Sequence, residues 1–349
     1  MTERATRRQL LTTLGAAGTA AVAGCTGGND TPATPTERQM PATISGWPMF
    51  KADAANSGTA SDETGPTTSI VEQWRFPTGR QLYSSPAVLD NTVYVGSNDG
   101  TVYALSAVTG TRQWSVETGD LVRSSPAVVD GTVYVGSYDN TVYALSAADG
   151  SQQWAVETGY WVHGAPTVAD DTVYVGSDDQ HVYALSAADG TERWAVETNG
   201  PVRNAPAVVD DTVYACTDGD SVYAISAADG SQQWRFDAAD SFDSAPAVVD
   251  GTVYAGNADG SVYAISAADG SQQWRADTDD EVHSSPAVVD GSVYVGSNDN
   301  SLYVLSTEDG SQQWRFDTGG SVGASVAVAD GVIYAASTDA NVYALRSAV

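Results

Sequence analysis

The chain has 349 residues and carries 44 acidic against 15 basic ones, a formal net charge of −29, with Lys51 as its single lysine. With no basic stripe to neutralise phosphates, this balance excludes nucleic-acid binding as a function class. It fits a halophilic protein kept soluble in multimolar salt, where a Debye length of about 3 Å screens the repulsion between surface carboxylates.

Residues 1–24 read as an export signal. Thr6-Arg7-Arg8-Gln9-Leu10-Leu11 is a twin-arginine pattern, with Arg7 and Arg8 as the signal residues. The Ala/Gly-rich stretch behind it is too short for a spanning helix, which needs roughly 20 apolar residues. It ends in Val22-Ala23-Gly24-Cys25, which resembles a lipobox. Cys25 is therefore expected to become the lipid-modified first residue of the mature protein, anchored to the cell membrane on its extracellular face. An ordinary cleaved signal with an incidental cysteine is the alternative. Residues 25–45 are rich in Thr, Pro, Gly and Asn and read as a flexible tether, and 46–70 as a leader that packs on the following domain.

From residue 71 to 349 the chain is periodic. Trp74, Trp114, Trp154, Trp194, Trp234, Trp274 and Trp314 recur every 40 residues, the mark of a repeat architecture. Each unit contains short runs rich in Val and Tyr, four to six residues long and bounded by Asp, Gly or Asn. Asp130-Gly131, Asp250-Gly251 and Asp290-Gly291 are two-residue hairpin turns. Four antiparallel strands in about 40 residues make a propeller blade. Innermost strands are expected to start near Leu82, Val122, Val162, Val202, Phe242, Val282 and Val322. The last unit stops after its third strand, while Gln73-Trp74-Arg75-Phe76 is a fourth strand with no blade before it. The expectation is an all-β, seven-bladed β-propeller of four-stranded antiparallel blades, its ring closed by the N-terminal strand around Trp74. Cys216 stands where other units have Gly96, Gly136, Gly176, Gly256 and Gly296, so it reads as a small buried residue without a disulfide partner.

The segment Ala104 to Trp114, with Gly110 inside it, resembles the tryptophan-docking repeat of the pyrroloquinoline-quinone (PQQ) propeller family. Copies run Ala144–Trp154, Ala184–Trp194, Ala224–Trp234, Ala264–Trp274 and Val304–Trp314, with Ser106 and its counterparts in place of the motif's Asp. The resemblance covers about residues 46 to 349 and gives the tryptophans a structural docking role. It implies either a PQQ-dependent oxidoreductase or a member of the non-catalytic branch, which includes the lipoprotein of the bacterial outer-membrane assembly machinery. Catalytic members are longer, hold the quinone with calcium and often cap it with adjacent cysteines; this chain has no such pair. No catalytic residue, metal site or cofactor is therefore expected, and the resemblance points to an exported lipoprotein of haloarchaeal type.

Turns joining the first to the second strand, and the third to the fourth, are nearly identical from unit to unit. Crossover loops between units, and turns between the second and third strands, differ in every copy. Just inside each crossover loop one position reads Tyr83, Arg123, His163, Arg203, Asp243, His283 and Gly323, expected to ring the mouth of the central channel. With Tyr160 and Trp161 these form the candidate binding site: Arg123 and Arg203 for anionic groups, Tyr83 or Trp161 for stacking on an apolar or sugar face. His163 and His283 fall nearly opposite each other, too far apart to share one zinc, whereas His283 and Asp243 on adjacent units form a candidate acid/base pair. A protein partner or a surface glycan is the expected ligand, and drift among duplicated units is the competing account of the variability.

Overall fold

A computed structural model of the protein describes residues 50–51, 53–57, 74–325, 327–329, 332–338 and 341–345. The export signal with Arg7 and Arg8, Cys25, the tether, most of the 46–70 leader and Gln73 lie outside the described residues. Six four-stranded antiparallel sheets follow one another at 87–117, 127–157, 167–197, 207–237, 247–277 and 287–317. A three-stranded sheet of Ala327–Ala329, Val332–Ser337 and Asn341–Leu345 comes last. Inner strands of successive sheets touch one another, which lays the sheets side by side as propeller blades. Among the described residues there is no helix.

The second blade shows how the sequence builds each unit, from Ala127–Val129, Thr132–Gly136, Thr141–Ser146 and Gln152–Glu157, inner to outer. Asp130 and Gly131 both take positive φ, 48° and 74°, and close the inner hairpin as a type I′ turn that pairs Val129 with Thr132. The inner strands are shorter than expected, three residues instead of four to six, and begin at Ala87, Ala127, Thr167, Ala207, Ala247 and Ala287 instead of near Leu82 to Val282. The reason is proline. Pro86, Pro126, Pro166, Pro206, Pro246 and Pro286 stand immediately before these strands and cannot donate to a ladder. Val122, Val162, Val202, Phe242, Val282 and Val322 lie in the preceding loops, fully buried, with the Val122 amide donating to Ser97 O at 3.0 Å, whereas Leu82 at the same repeat position is exposed.

Those buried valines explain a glycine. A Cβ on Gly96 would lie 2.4 Å from Val122 Cγ1, and the Gly136, Gly176, Gly256 and Gly296 positions are equally closed. Cys216 occupies the same slot in the fourth blade, and there the facing position is Phe242, unbranched at Cβ; both are buried in one core cluster. Removing the valine's γ-methyl makes the room that the cysteine side chain fills. Burial pushes the Cys216 thiol pKa up.

Blades are joined by the tryptophans. Trp114 Nε1 donates to Ala147 O of the next blade at 2.9 Å, and Trp154, Trp194, Trp234 and Trp274 repeat the bond to Ala187, Ala227, Ala267 and Thr307. Each ring lies on a glycine of the next blade. A Cβ on Gly150 would sit 2.9 Å from Trp114 Cδ2, and Gly150 has φ +75°. A one-residue bulge opposite Ala144 and Leu145 lets Ala144 pair with Trp154 while Leu145 pairs with Gln152, which sets the ring's direction. Trp74 makes the same bond onto the first blade, to Ala107 O at 2.8 Å, with Gly110 beneath it. Trp314 is 37% exposed, and residue 347, the counterpart acceptor, lies outside the described residues.

Residues 50–51 and 53–57 lie along the inner strands of the fourth to sixth blades. Carbonyls of Ala54, Ala55 and Ser57 accept from the amides of Val208, Val248 and Val288, one on each of three inner strands. Lys51 Nζ donates to Ser285 O and Pro286 O at 3.0 and 3.1 Å, and Asn56 Nδ2 to Ala205 O and Pro206 O at 3.2 Å. Phe50 packs on Ala165, Ala205 and Ala245. Burial lowers the Lys51 ammonium pKa to about 7.

Two substitution experiments test this packing. Gly150→Ala should cost about 2–4 kcal/mol in denaturant unfolding, because it adds a clash with Trp114 to left-handed strain. Gly131→Ala, with φ +74° and nothing within 4 Å of a Cβ, should cost only the strain, about 1 kcal/mol. Equal costs would remove the docking account. Separately, Phe242→Val should destabilise by about 2–3 kcal/mol, and adding Cys216→Gly should recover at least about 1 kcal/mol of that loss.

Candidate functional site

The crossover loops and second-to-third-strand turns meet on one face: the Tyr138 amide bonds Leu121 O at 2.9 Å and the Asp178 amide bonds Trp161 O at 2.9 Å. The variable residues Tyr83, Arg123, His163, Arg203, Asp243, His283 and Gly323 stand in these loops, ahead of the prolines, and not at the start of the inner strands. They form two different arcs.

The first arc is aromatic. The Arg123 guanidinium carbon lies 4.8 Å from the centre of the Tyr83 ring and 5.2 Å from that of Tyr138, a cation held between two π faces. Its Nε donates to Asn98 Oδ1 at 3.3 Å. Tyr138 stacks on Trp161 at 4.7 Å and 12°, Tyr160 tilts against Trp161 at 4.9 Å, and His163 meets Tyr138 edge-on at 5.5 Å. Burial lowers the His163 pKa, and its Nδ1 is buried without a hydrogen-bond partner. Leu82, Tyr83, Tyr160 and Trp161 are nonetheless exposed, by 47, 63, 47 and 37%.

The second arc is ionic. Arg203 bonds both oxygens of Asp178 at 3.1 Å and also pairs with Asp218. Asp243 lies close enough to Asp218 for the two carboxyls to interact electrostatically. His283 Nδ1 then reaches Asp243 at 3.1 Å while its Nε2 bonds Glu281 at 2.7 Å, and Asn298 Nδ2 donates to Glu281 at 3.2 Å. Burial raises the Asp218 pKa to about 6, and the bond with His283 lowers that of Asp243. Hydrogen bonds that it donates to two carboxylates, Asp243 first and then Glu281, raise His283 to about 9.

Some expectations change with this geometry. The structure does bring Asp243 and His283 together. An anion shared by Arg123 and Arg203 does not fit: Arg203 is clamped by two carboxylates and Arg123 is packed between rings. Tyr138, Asp178, Asp218, Asn98 and Glu281 belong to the same arrangement but were not singled out by sequence. Their signal was available, since Asn98, Tyr138, Asp178, Asp218, Ala258 and Asn298 occupy one repeat position that never settles on a residue. Asp99, Asp139 and Asp179 in the same turns bind the chain itself, with Asp139 Oδ2 accepting from Gly119 N at 2.6 Å and from Tyr143 OH at 2.7 Å.

The ion pairing carries a pH signature. Because His283 has a folded-state pKa of about 9 against an ordinary 6.5, its stabilisation is complete below pH 6.5 and is lost as pH rises through 9. Partial exposure limits the effect to on the order of 1 kcal/mol. Unfolding free energies of wild type and His283→Gln should converge between pH 6.5 and 9 and differ most below that range.

Known proteins give the geometry a context. The family model described as outer membrane protein assembly factor BamB matches residues 69–161, 158–241 and 218–348. Among solved structures, BamB from Moraxella catarrhalis superposes with a TM-score of 0.70 at 21% identity, covering 77% of this chain and 86% of its own. The computationally designed Ika8 protein superposes with a TM-score of 0.69 at 19% identity, covering 76% of this chain and 83% of its own. At such identities the likeness is one of fold. A search of curated protein sequences finds no match.

Proposed function

This chain belongs to the family of the outer membrane protein assembly factor BamB, and from that membership we propose that it is a non-catalytic binding and assembly scaffold, exported and lipid-anchored at Cys25 on the extracellular face of the cell membrane. The observation that carries the reading is the exposed aromatic arc of Tyr83, Tyr160 and Trp161 on the variable face. Large apolar rings open to solvent beside a polar rim are what a protein-binding surface presents. The opposite face repeats the same turns from blade to blade, so recognition belongs to the face where the repeat fails. Residues 50–51 and 53–57 support a surface role further, since they already bond the inner strands of three blades.

In this reading the propeller has seven blades, and the segment around Trp74, which forms no strand among the described residues, stands where the fourth strand missing from the last sheet would be. Trp74 bonds Ala107 O of the first blade as Trp114 bonds Ala147 O of the second, which is the bond a preceding blade's outer strand makes.

A quinone cofactor fits the mouth poorly. PQQ is a tricarboxylate, and Asp178, Asp218, Asp243 and Glu281 face the same opening, while Arg203 is already paired. A glycan ligand is the second reading, favoured by the 63% exposure of the Tyr83 ring.

A photo-crosslinking amino acid placed at position 83 or 161 should give protein adducts in membranes kept in multimolar salt. The same probe at Asp229, in a third-to-fourth-strand turn of the repeated face, should not; equal labelling at all three positions overturns the scaffold face. Cys25→Ser should move the protein from the membrane fraction to the soluble one, and retention in the membrane would remove the lipid anchor from the reading.

A further inference from the structure

Resting on that reading of the variable face, we infer that the mouth takes a peptide segment in which an aromatic or aliphatic side chain neighbours an arginine, the apolar group lying on the aromatic arc and the guanidinium on the acidic one. The two arcs adjoin at one backbone bond, from the Asp178 amide to Trp161 O at 2.9 Å. The apolar and cationic parts of a ligand must therefore be close in its sequence.

Charge selects the cation. Four carboxylates, Asp178, Asp218, Asp243 and Glu281, stand with two cationic partners, Arg203 and His283. Each cation is shared by two carboxylates, Arg203 by Asp178 and Asp218 and His283 by Asp243 and Glu281, so the arc carries more negative than positive charge. A ligand guanidinium set against Asp218, Asp243 and Glu281 offsets that excess through charge-assisted hydrogen bonds.

Arginine is favoured over lysine on two grounds. A planar fork matches two carboxylates bidentately and stacks on rings, where a strongly hydrated ammonium does neither well. In multimolar salt a Debye length of about 3 Å also leaves only contact interactions effective. The protein shows the arrangement with its own side chain, Arg123 between Tyr83 and Tyr138. A sugar fits less well: Tyr138 and Trp161 cover each other's faces at 4.7 Å, and Arg123 lies over one face of Tyr83. Leu82 adds an aliphatic side chain at 47% exposure, suited to a peptide's apolar group.

The test uses the full-length protein in multimolar potassium chloride and a dye-labelled peptide amide, Gly-Trp-Gly-Arg-Gly, read by fluorescence anisotropy. Counterparts with lysine, citrulline or glutamate in place of arginine, and one with glycine in place of tryptophan, complete the series. The arginine peptide should bind at least about tenfold tighter than the citrulline or glutamate one and several-fold tighter than the lysine one. Asp218→Asn with Asp243→Asn should abolish that preference; Asp218→Asn alone should reduce it. Tyr83→Ala with Trp161→Ala should weaken every tryptophan peptide by about tenfold. Citrulline or glutamate peptides binding as well as arginine would overturn the inference, as would an N-acetylglucosamine oligomer binding where no peptide does. Crosslinks at positions 83 and 161 without any arginine preference would remove this inference and leave the scaffold reading standing; absence of those crosslinks would remove the scaffold reading itself.

Discussion

The fold depends on one contact, a tryptophan ring lying on a glycine of the next blade. The glycine is required twice over, because its φ near +70° disfavours a side chain and because the ring occupies the space a Cβ would take. The indole N–H is satisfied by a backbone carbonyl of the same neighbouring turn, so the ring can be buried without leaving a donor unpaired. Each blade has its own ladder of backbone bonds but shares its core with the next, as the clusters combining consecutive blades show. Blade-to-blade cohesion therefore rests largely on side chains, and the tryptophan couples packing to a directional bond, as Tyr134 does where its hydroxyl donates to Ala187 O at 3.2 Å.

Around that contact the sequence tolerates change only in matched pairs. Cys216 with Phe242 replaces the Gly with Val found in other blades, and both residues are buried in one core cluster. In the fourth blade Asn199 faces Gly219, where Gly119 faces Asp139 in the second; the polar group has moved across the contact and still bonds the opposite backbone, at Gly219 O. Such exchanges mark structural constraint. The residues of the two arcs change without any such compensation of shape, and they change into large aromatic and charged side chains.

Much of the architecture was legible because it is periodic. Strand alternation, Asp-Gly turns and the 40-residue tryptophan spacing are local signals, and they located the outer three strands of each blade well. The inner strands begin five residues later than expected because Val122, Val162, Val202 and Val282 are buried and β-branched, as strand residues are, yet sit in loops that a following proline keeps out of the ladder. The site was half legible. Its positions were found by asking where the repeat fails, but sequence gave no measure of which side chains neutralise each other. Arg203 reads as a free cation until Asp178 and Asp218, 25 residues before it and 15 after, are seen to close on it. The sign of the site's charge depends on that contact, which spacing does not show.

The segment 50–57 has a consequence for the order of events during synthesis. Its acceptors lie far downstream: Lys51 bonds carbonyls 234 and 235 residues away, and Asn56 bonds carbonyls 149 and 150 residues away. Blades can form from contacts within 40 residues or between neighbours, so they can assemble progressively as the chain emerges. The leader cannot complete its bonds until the sixth blade exists, because one of its landing sites is the inner strand of that blade. An early segment thus settles fully only after most of the blades have been made, and its complete docking reports that six blades have folded.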